Sequence, residues 1–178
     1  MAEDPSIASY LKPIDKVGLE ALAAKGKENP QAVRTVRCRT VAEAKFRHFN
    51  FVRNLPPHIV DEPVALLGDD TAPNPSEALL AALGSCLAVG IHANAVAQGI
   101  AIRSLELDLE ADINITSVWG VGDTSPKPVG FEAVRVAVRL DADAPKAQLD
   151  ALISHATKWS PVANTLMKPI ALSVMRSG

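Results

Sequence analysis

From Ala78 to Ile102 the chain runs 25 residues without a formal charge, and this stretch limits the possible folds more than any other. A helix of that length is long enough to cross a bilayer. Yet it contains His92, Asn94 and Gln98, glycines at 84, 90 and 99, and more alanine than leucine. Lipid-facing helices rely on large apolar side chains, and polar groups there are costly. The expectation is a soluble helix, buried on most sides, with no membrane partner. It should turn at Gln98-Gly99 and lead into a strand. A chain of 178 residues supplies only part of the shell such a helix needs, which points to a second subunit.

The elements around it read as follows. Residues 5–27 carry a helical pattern in two parts, with Ile7, Leu11 and Ile14 first, then Val17, Leu19, Leu22 and Ala23, interrupted at Pro13. Residues 1–29 form an expected N-terminal helical arm, and residues 30–178 the folded domain. Val33–Val41 and Phe46–Arg53 alternate as strands. Cys38 then lies on the apolar face of the first, and Arg47, Phe49, Phe51 and Arg53 share one face of the second. The Pro-, Asp- and Gly-rich loop Asn54–Asn74, about 20 residues long, is the kind that often covers a site.

Asn74 suits the N-cap of the long helix, Pro75 its first position and Glu77 its first turn. Leu79, Leu83, Cys86 and Gly90 line one face. Ala81, Gly84, Ser85 and Ala88 make a small-residue strip that another helix could approach. Leu105 to Ile115 alternates apolar residues with an acidic face, and Val134 to Leu140 alternates with Arg135 and Arg139. Opposed in a hairpin, those faces complement each other. Asp143 or Asp141 caps a further helix with Leu149, Leu152, Ile153 and Ala156 buried, and Pro169–Met175 closes as a strand. Antiparallel strands interrupted by single helices give an α+β fold.

Composition narrows the function. Lys+Arg 18 against Asp+Glu 20 leaves a net charge of −2, with no basic stripe for nucleic acid. Two cysteines make no disulfide scaffold, no Cys/His cluster has metal-ligand spacing, and no motif implies a cofactor. The acidic start lacks a secretory signal's regions, so a cytoplasmic enzyme or binding protein is expected. The four histidines are scattered. Cys86 is the single candidate thiol, flanked by small Gly84 and Ser85. His92, about 120° around the helix, is a poor activator, so a cation from the early strands would have to serve.

Two segments carry a family resemblance. Asn74-Pro75-Ser76-Glu77-Ala78-Leu79-Leu80-Ala81-Ala82-Leu83-Gly84-Ser85-Cys86-Leu87 resembles the central-helix motif of the OsmC/Ohr superfamily. Ser160-Pro161-Val162-Ala163-Asn164-Thr165-Leu166 resembles its second motif. The resemblance covers roughly residues 30–176 and implies an OsmC-like fold, an intertwined homodimer with a long central helix wrapped by sheets. It also implies reduction of organic hydroperoxides and hydrogen peroxide, in oxidative stress defence. The central-helix cysteine attacks as thiolate, a second cysteine resolves the sulfenic acid, and an arginine and a glutamate support the thiolate.

This sequence departs from that pattern at two places. Cys86 fills the first cysteine position, but Ser160 stands at the second, so an external thiol reductant is implied. Ser76 stands at the glutamate position, and Glu77, about 180° from Cys86, reads as a first-turn residue. Arg53 and Arg47 are the candidate arginines, with Arg39 a third; Ser76, Ser160, Phe49 and Phe51 are expected to line the substrate site. Two readings stay open. One is a one-cysteine peroxidase acting through Cys86. The other is a non-peroxidatic protein that binds a small molecule or senses redox state.

Overall fold

The structure, a computed structural model, describes residues 11–127, 129–176 and 178. Ile7, part of the expected arm, lies outside them. Residues 21–82 form one compact unit, and residues 83–178 with the described part of 1–20 form another. Helix α1 spans Lys16–Glu28 and buries none of its residues. Asp15 caps it, its carboxylate accepting from Val17 N at 3.1 Å and Gly18 N at 3.0 Å. The expected helical turn at Leu11 and Ile14 is absent: residues 11–15 are irregular, and Leu11 N–H donates to Ile102 O. Pro13, which lacks an N–H, explains why a helix does not run through this segment.

In the unit 21–82, strands β1 (Arg39–Ala44), β2 (Arg47–Phe51) and β3 (His58–Val60) form an antiparallel sheet in that order. Two expectations need correction here. The first strand starts at Arg39, so Cys38 precedes it and is exposed instead of core. The second ends at Phe51, and Arg53 sits in a turn with φ 53°, out of the strand's alternation. The loop after Asn54 is also more ordered than its composition indicates, since it holds β3 and a 3-10 turn at Val64–Leu66.

Asp61 holds that loop together. It is fully buried and accepts from Glu62 N at 2.8 Å, Thr71 N at 3.1 Å and Thr71 Oγ1 at 2.8 Å. A buried carboxylate is tolerable only when its lone pairs are taken up in this way. Helix α2 (Pro75–Gln98) then begins with a reciprocal cap: Glu77 N donates to Asn74 Oδ1 at 2.9 Å, and Asn74 N to Glu77 Oε2 at 2.8 Å. The expected start is observed, and it accounts for Glu77.

In the unit from residue 83 onward, α2 buries Leu83, Gly84, Leu87, Ile91 and Ala95 as one stripe. Off that stripe Val89 is 68% exposed. Strands β4 (Ile102–Asn114) and β5 (Gly130–Ala142) pair as a hairpin with Leu105 opposite Leu140, Leu107 opposite Val138 and Leu109 opposite Val136. Leu83 and Leu87 pack on Leu107, Leu109, Val134 and Val136. Ile91 and Ala95 join Ile102, Ala142 and, from α3 (Lys146–Trp159), Leu152 and Ala156. Each such aliphatic burial is worth about 1.5–3 kcal/mol. On the outer face Arg139 pairs with Glu106 at 2.7 Å and Arg135 with Asp112 at 2.6 Å, as the alternation predicted. These pairs face water, which screens them, so the apolar face dominates the hairpin's stability.

Three further expectations are corrected in this unit. Gly84 admits strand residue Leu109, not a helix: a Cβ there would lie 2.8 Å from Leu109 Cδ1. The helix approach is at Gly90, against Ala156 of α3. Asp141 and Asp143 hold Arg103, and Pro145 is the N-cap residue of α3. Residues 169–175 carry no strand, because a strand requires a ladder and none pairs with them among the described residues; Leu172 is 83% exposed.

The Thr71 hydroxyl, with backbone N–H groups, holds the Asp61 carboxyl below its usual value. A depressed carboxylate adds stability above its unfolded pKa of about 4 and loses it as pH falls through the folded value. Thr71→Val should therefore lower the urea midpoint at neutral pH. The gap from wild type should narrow as the pH falls from the unfolded carboxylate value of about 4 through the depressed folded value of Asp61, where that group protonates. Urea titrations across that range check this.

Candidate functional site

Cys86 lies at the start of the fourth turn of α2, between buried Leu83 and Leu87, and is itself half-buried. Its Sγ accepts a hydrogen bond from Ser160 Oγ at 3.1 Å. The two motif segments, 74 positions apart in sequence, thus meet at their key residues. Ser160 joins α3 to α4 (Pro161–Met167) and is 3% exposed. Its Oγ accepts from Ala163 N at 3.1 Å, so the same hydroxyl caps α4 and faces the sulfur. Ala163 is buried against Leu83 and Leu87, which holds the start of α4 beside the Cys86 turn.

In the unit 21–82 the candidate arginines take different places. Arg47 is engaged by Glu43, whose carboxylate raises its pKa by hydrogen bond and charge. Arg39 lies over the Phe51 ring, 4.4 Å from its centroid, and Phe49 and Phe51 are 6.5 Å apart. Arg39, Arg53 and Phe51, with Arg37 and Cys38, line one open concavity of about 650 Å³. The stacked guanidinium is a cation–π contact. Ser76, in the first turn of α2, is half-buried.

A second concavity of about 490 Å³ is lined by Cys38, Thr40, His48, Asn50 and His58, with Pro75 at its edge. Thr40, Asn50 and His58 stand in register across the three strands. Thr40 Oγ1 donates to Asn50 Oδ1 at 2.6 Å, and Asn50 Nδ2 to His58 O at 3.2 Å. In the same unit Glu62 Oε2 is buried without a hydrogen-bond partner among the described residues. Burial, then the charges of Glu77 and Asp61, push its carboxyl up. Among the described residues no three His, Cys, Asp or Glu side chains converge to hold a metal ion.

Sequence reasoning missed three of these features. The Ser160–Cys86 bond is not legible in sequence, because position 160 reads as a missing thiol and a pocket-lining residue and nothing local aims its hydroxyl. Glu62 went unread because a lone glutamate in a polar loop carries no pattern. The row of Thr40, Asn50 and His58 depends on β3, which is too short to show periodicity. The one local signal is the placement of Asn50 between Phe49 and Phe51.

The family model for OsmC-like proteins matches residues 68–175. No curated protein matches the sequence significantly. Among solved structures, the chain is similar to an OsmC-like protein from Mycoplasma pneumoniae, at 16% identity and TM-score 0.64, covering 76% of this chain and 89% of that one. It is also similar to an organic hydroperoxide resistance protein OsmC from Legionella pneumophila, at 18% identity and TM-score 0.52, covering 76% and 91%. At such identities the likeness is one of fold.

The 3.1 Å approach of Ser160 Oγ to Cys86 Sγ tests directly. A disulfide needs about 2.05 Å between sulfurs, a small closing movement from this geometry. Ser160→Cys, treated with an oxidant, should form an intramolecular disulfide with Cys86. Peptide mapping without reductant should find the 86–160 link, and its absence would show the pair to be farther apart.

Proposed function

Because the chain belongs to the OsmC-like protein family, we propose that it is a one-cysteine peroxidase that reduces organic hydroperoxides and hydrogen peroxide through Cys86. The single observation that carries this is the Cys86 sulfur, half-buried on the central helix with a polar donor at 3.1 Å in an otherwise apolar setting. Ala163, which donates to the same hydroxyl, packs with Leu83 and Leu87 on either side of Cys86 in the helix and so holds the donor beside the sulfur. The hydroperoxide resistance named for the Legionella relative supports the substrate class.

The chemistry balances with an external thiol. The Cys86 thiolate attacks the terminal oxygen of the hydroperoxide, the O–O bond breaks, and the alkoxide leaves as alcohol after taking a proton. Cys86 is then a sulfenic acid. Ser160 cannot resolve it, since a hydroxyl forms no disulfide. One external thiol displaces water to give a mixed disulfide, and a second releases Cys86 and the oxidised reductant. No bound cofactor is required.

An arginine is assigned to hold the thiolate's charge. Arg47 is committed to Glu43 and Arg39 to Phe51, whereas Arg53 has no acidic partner among the described residues. Arg53 is therefore favoured over Arg47, with Phe49 and Phe51 receiving the alkyl group and Ser76 and Ser160 bounding the site. Assembly is proposed as a homodimer, which gives the uncovered side of α2 and the apolar segment 169–175 a partner surface. A cytoplasmic location fits a reaction that consumes thiols.

A second reading, a non-peroxidatic binding or redox-sensing protein, has its own observation. Glu77 is spent in the helix cap, and Ser76 occupies the family's glutamate position, so the start of α2 offers no free carboxylate. The readings separate on activity. Cys86→Ser should abolish thiol-dependent consumption of an alkyl hydroperoxide, and Cys38→Ser should retain most of it. Sulfenate trapping should label Cys86. Unchanged consumption in Cys86→Ser would sink the peroxidase reading.

A further inference from the structure

Position 160 does more than lack a thiol. The Ser160 hydroxyl has one proton, and two features aim it. Ala163 N–H donates to its oxygen at 3.1 Å, which directs lone-pair density toward the helix and leaves the O–H free to point at Cys86 Sγ, also at 3.1 Å. At 3% exposure, water does not compete for either bond.

The backbone around this hydroxyl is equally constrained. Ser160 N–H donates to Thr157 O at 3.3 Å, and Ser160 O accepts from Asn164 N at 3.0 Å. The Asn164 side-chain amide donates to Ser160 O at 2.8 Å and to Lys158 O at 2.9 Å, tying both sides of the α3–α4 joint. Pro161 fixes φ at the first position of α4, and Ala163 packs under Leu83 and Leu87. The motif Ser-Pro-x-Ala-Asn thus reads physically as a donor, a turn lock, an anchor and a clamp.

A thiol can donate or accept in such a bond, but a thiolate can only accept. A fixed hydroxyl donor therefore favours the thiolate over the thiol. We propose that Ser160, oriented by Ala163 N–H and clamped by Asn164, donates its hydroxyl proton to Cys86 Sγ and holds that sulfur as the reactive thiolate. The assignment rests on Cys86 being the reacting thiol. In it the residue at the second motif position activates the first cysteine instead of resolving it. Asn164 is a positioning residue, acting through Ser160.

The test uses the full chain carrying Cys38→Ser, so that Cys86 is the sole thiol. Alkylation by iodoacetamide is timed at about pH 7 and normalised to the rate at about pH 10, where thiolate is no longer limiting. Ser160→Ala should lower that ratio about threefold or more, and Ser160→Thr, which keeps the hydroxyl, should restore it. Ser160→Asp caps a helix as well as serine does but presents a carboxylate to the sulfur, so it should lower the ratio at least as far as alanine. A purely capping role would leave Ser160→Asp like wild type. That result, an unchanged ratio in Ser160→Ala, or a Cys86 that resists alkylation throughout would overturn the proposal. Peroxide consumption by the same proteins is read separately. If the alkylation ratio falls while no hydroperoxide is consumed, the peroxidase reading fails and the Ser160 assignment stands.

Discussion

The packing of the α2 stripe against the β4–β5 hairpin is the constraint on which the active part of the molecule depends. Leu83 and Leu87 sit over Leu107, Leu109, Val134 and Val136, while Ile91 and Ala95 continue into the cluster with Leu152 and Ala156. Two glycines sit along this seam, where an added Cβ would lie 2.8 Å from Leu109 Cδ1 and 3.2 Å from Ala156 Cβ. Close-packed interiors leave little freedom for such a helix to rotate or slide. Whatever lies on the turn between Leu83 and Leu87 is consequently held in a fixed direction, and Cys86 is on that turn.

The second motif exploits the same seam. Ala163 inserts beside Leu83 and Leu87, which brings the α3–α4 joint to the cysteine, and Ser160 at that joint supplies both a cap and a donor. One small apolar side chain thereby positions one small polar one. This economy explains why a serine at position 160 is not a neutral loss. A cysteine there would offer a resolving sulfur, whereas the serine offers a stronger hydrogen-bond donor at the same distance from Sγ.

Much of this architecture was legible in the residues. The Asn74-Pro75-x-Glu77 start, the Gln98-Gly99 end and the complementary charged faces at 106–112 and 135–139 are local patterns, and each was observed. The failures share a cause. Alternation places Cys38 and Arg53 in strands, and the closing segment 169–175 reads as one too, yet a strand is stable only where another lies beside it. Asp61 and Glu62 were passed over because a buried carboxylate is recognised by what surrounds it, and its surroundings come from residues such as Thr71 and Glu77.

By itself, then, the sequence determined the α+β class, the core helix and its caps, the candidate thiol at Cys86, and the missing sulfur at position 160. These depend on periodicity, capping chemistry and residue identity, all of which are local. Only the tertiary structure decided that Ser160 meets Cys86 at 3.1 Å, that the buried Asp61 is held by Thr71, and that Arg47 is taken by Glu43. The first of these is a contact across 74 positions, and the other two are choices a side chain makes among several possible partners. Distance and competition between partners exist only once the chain has packed.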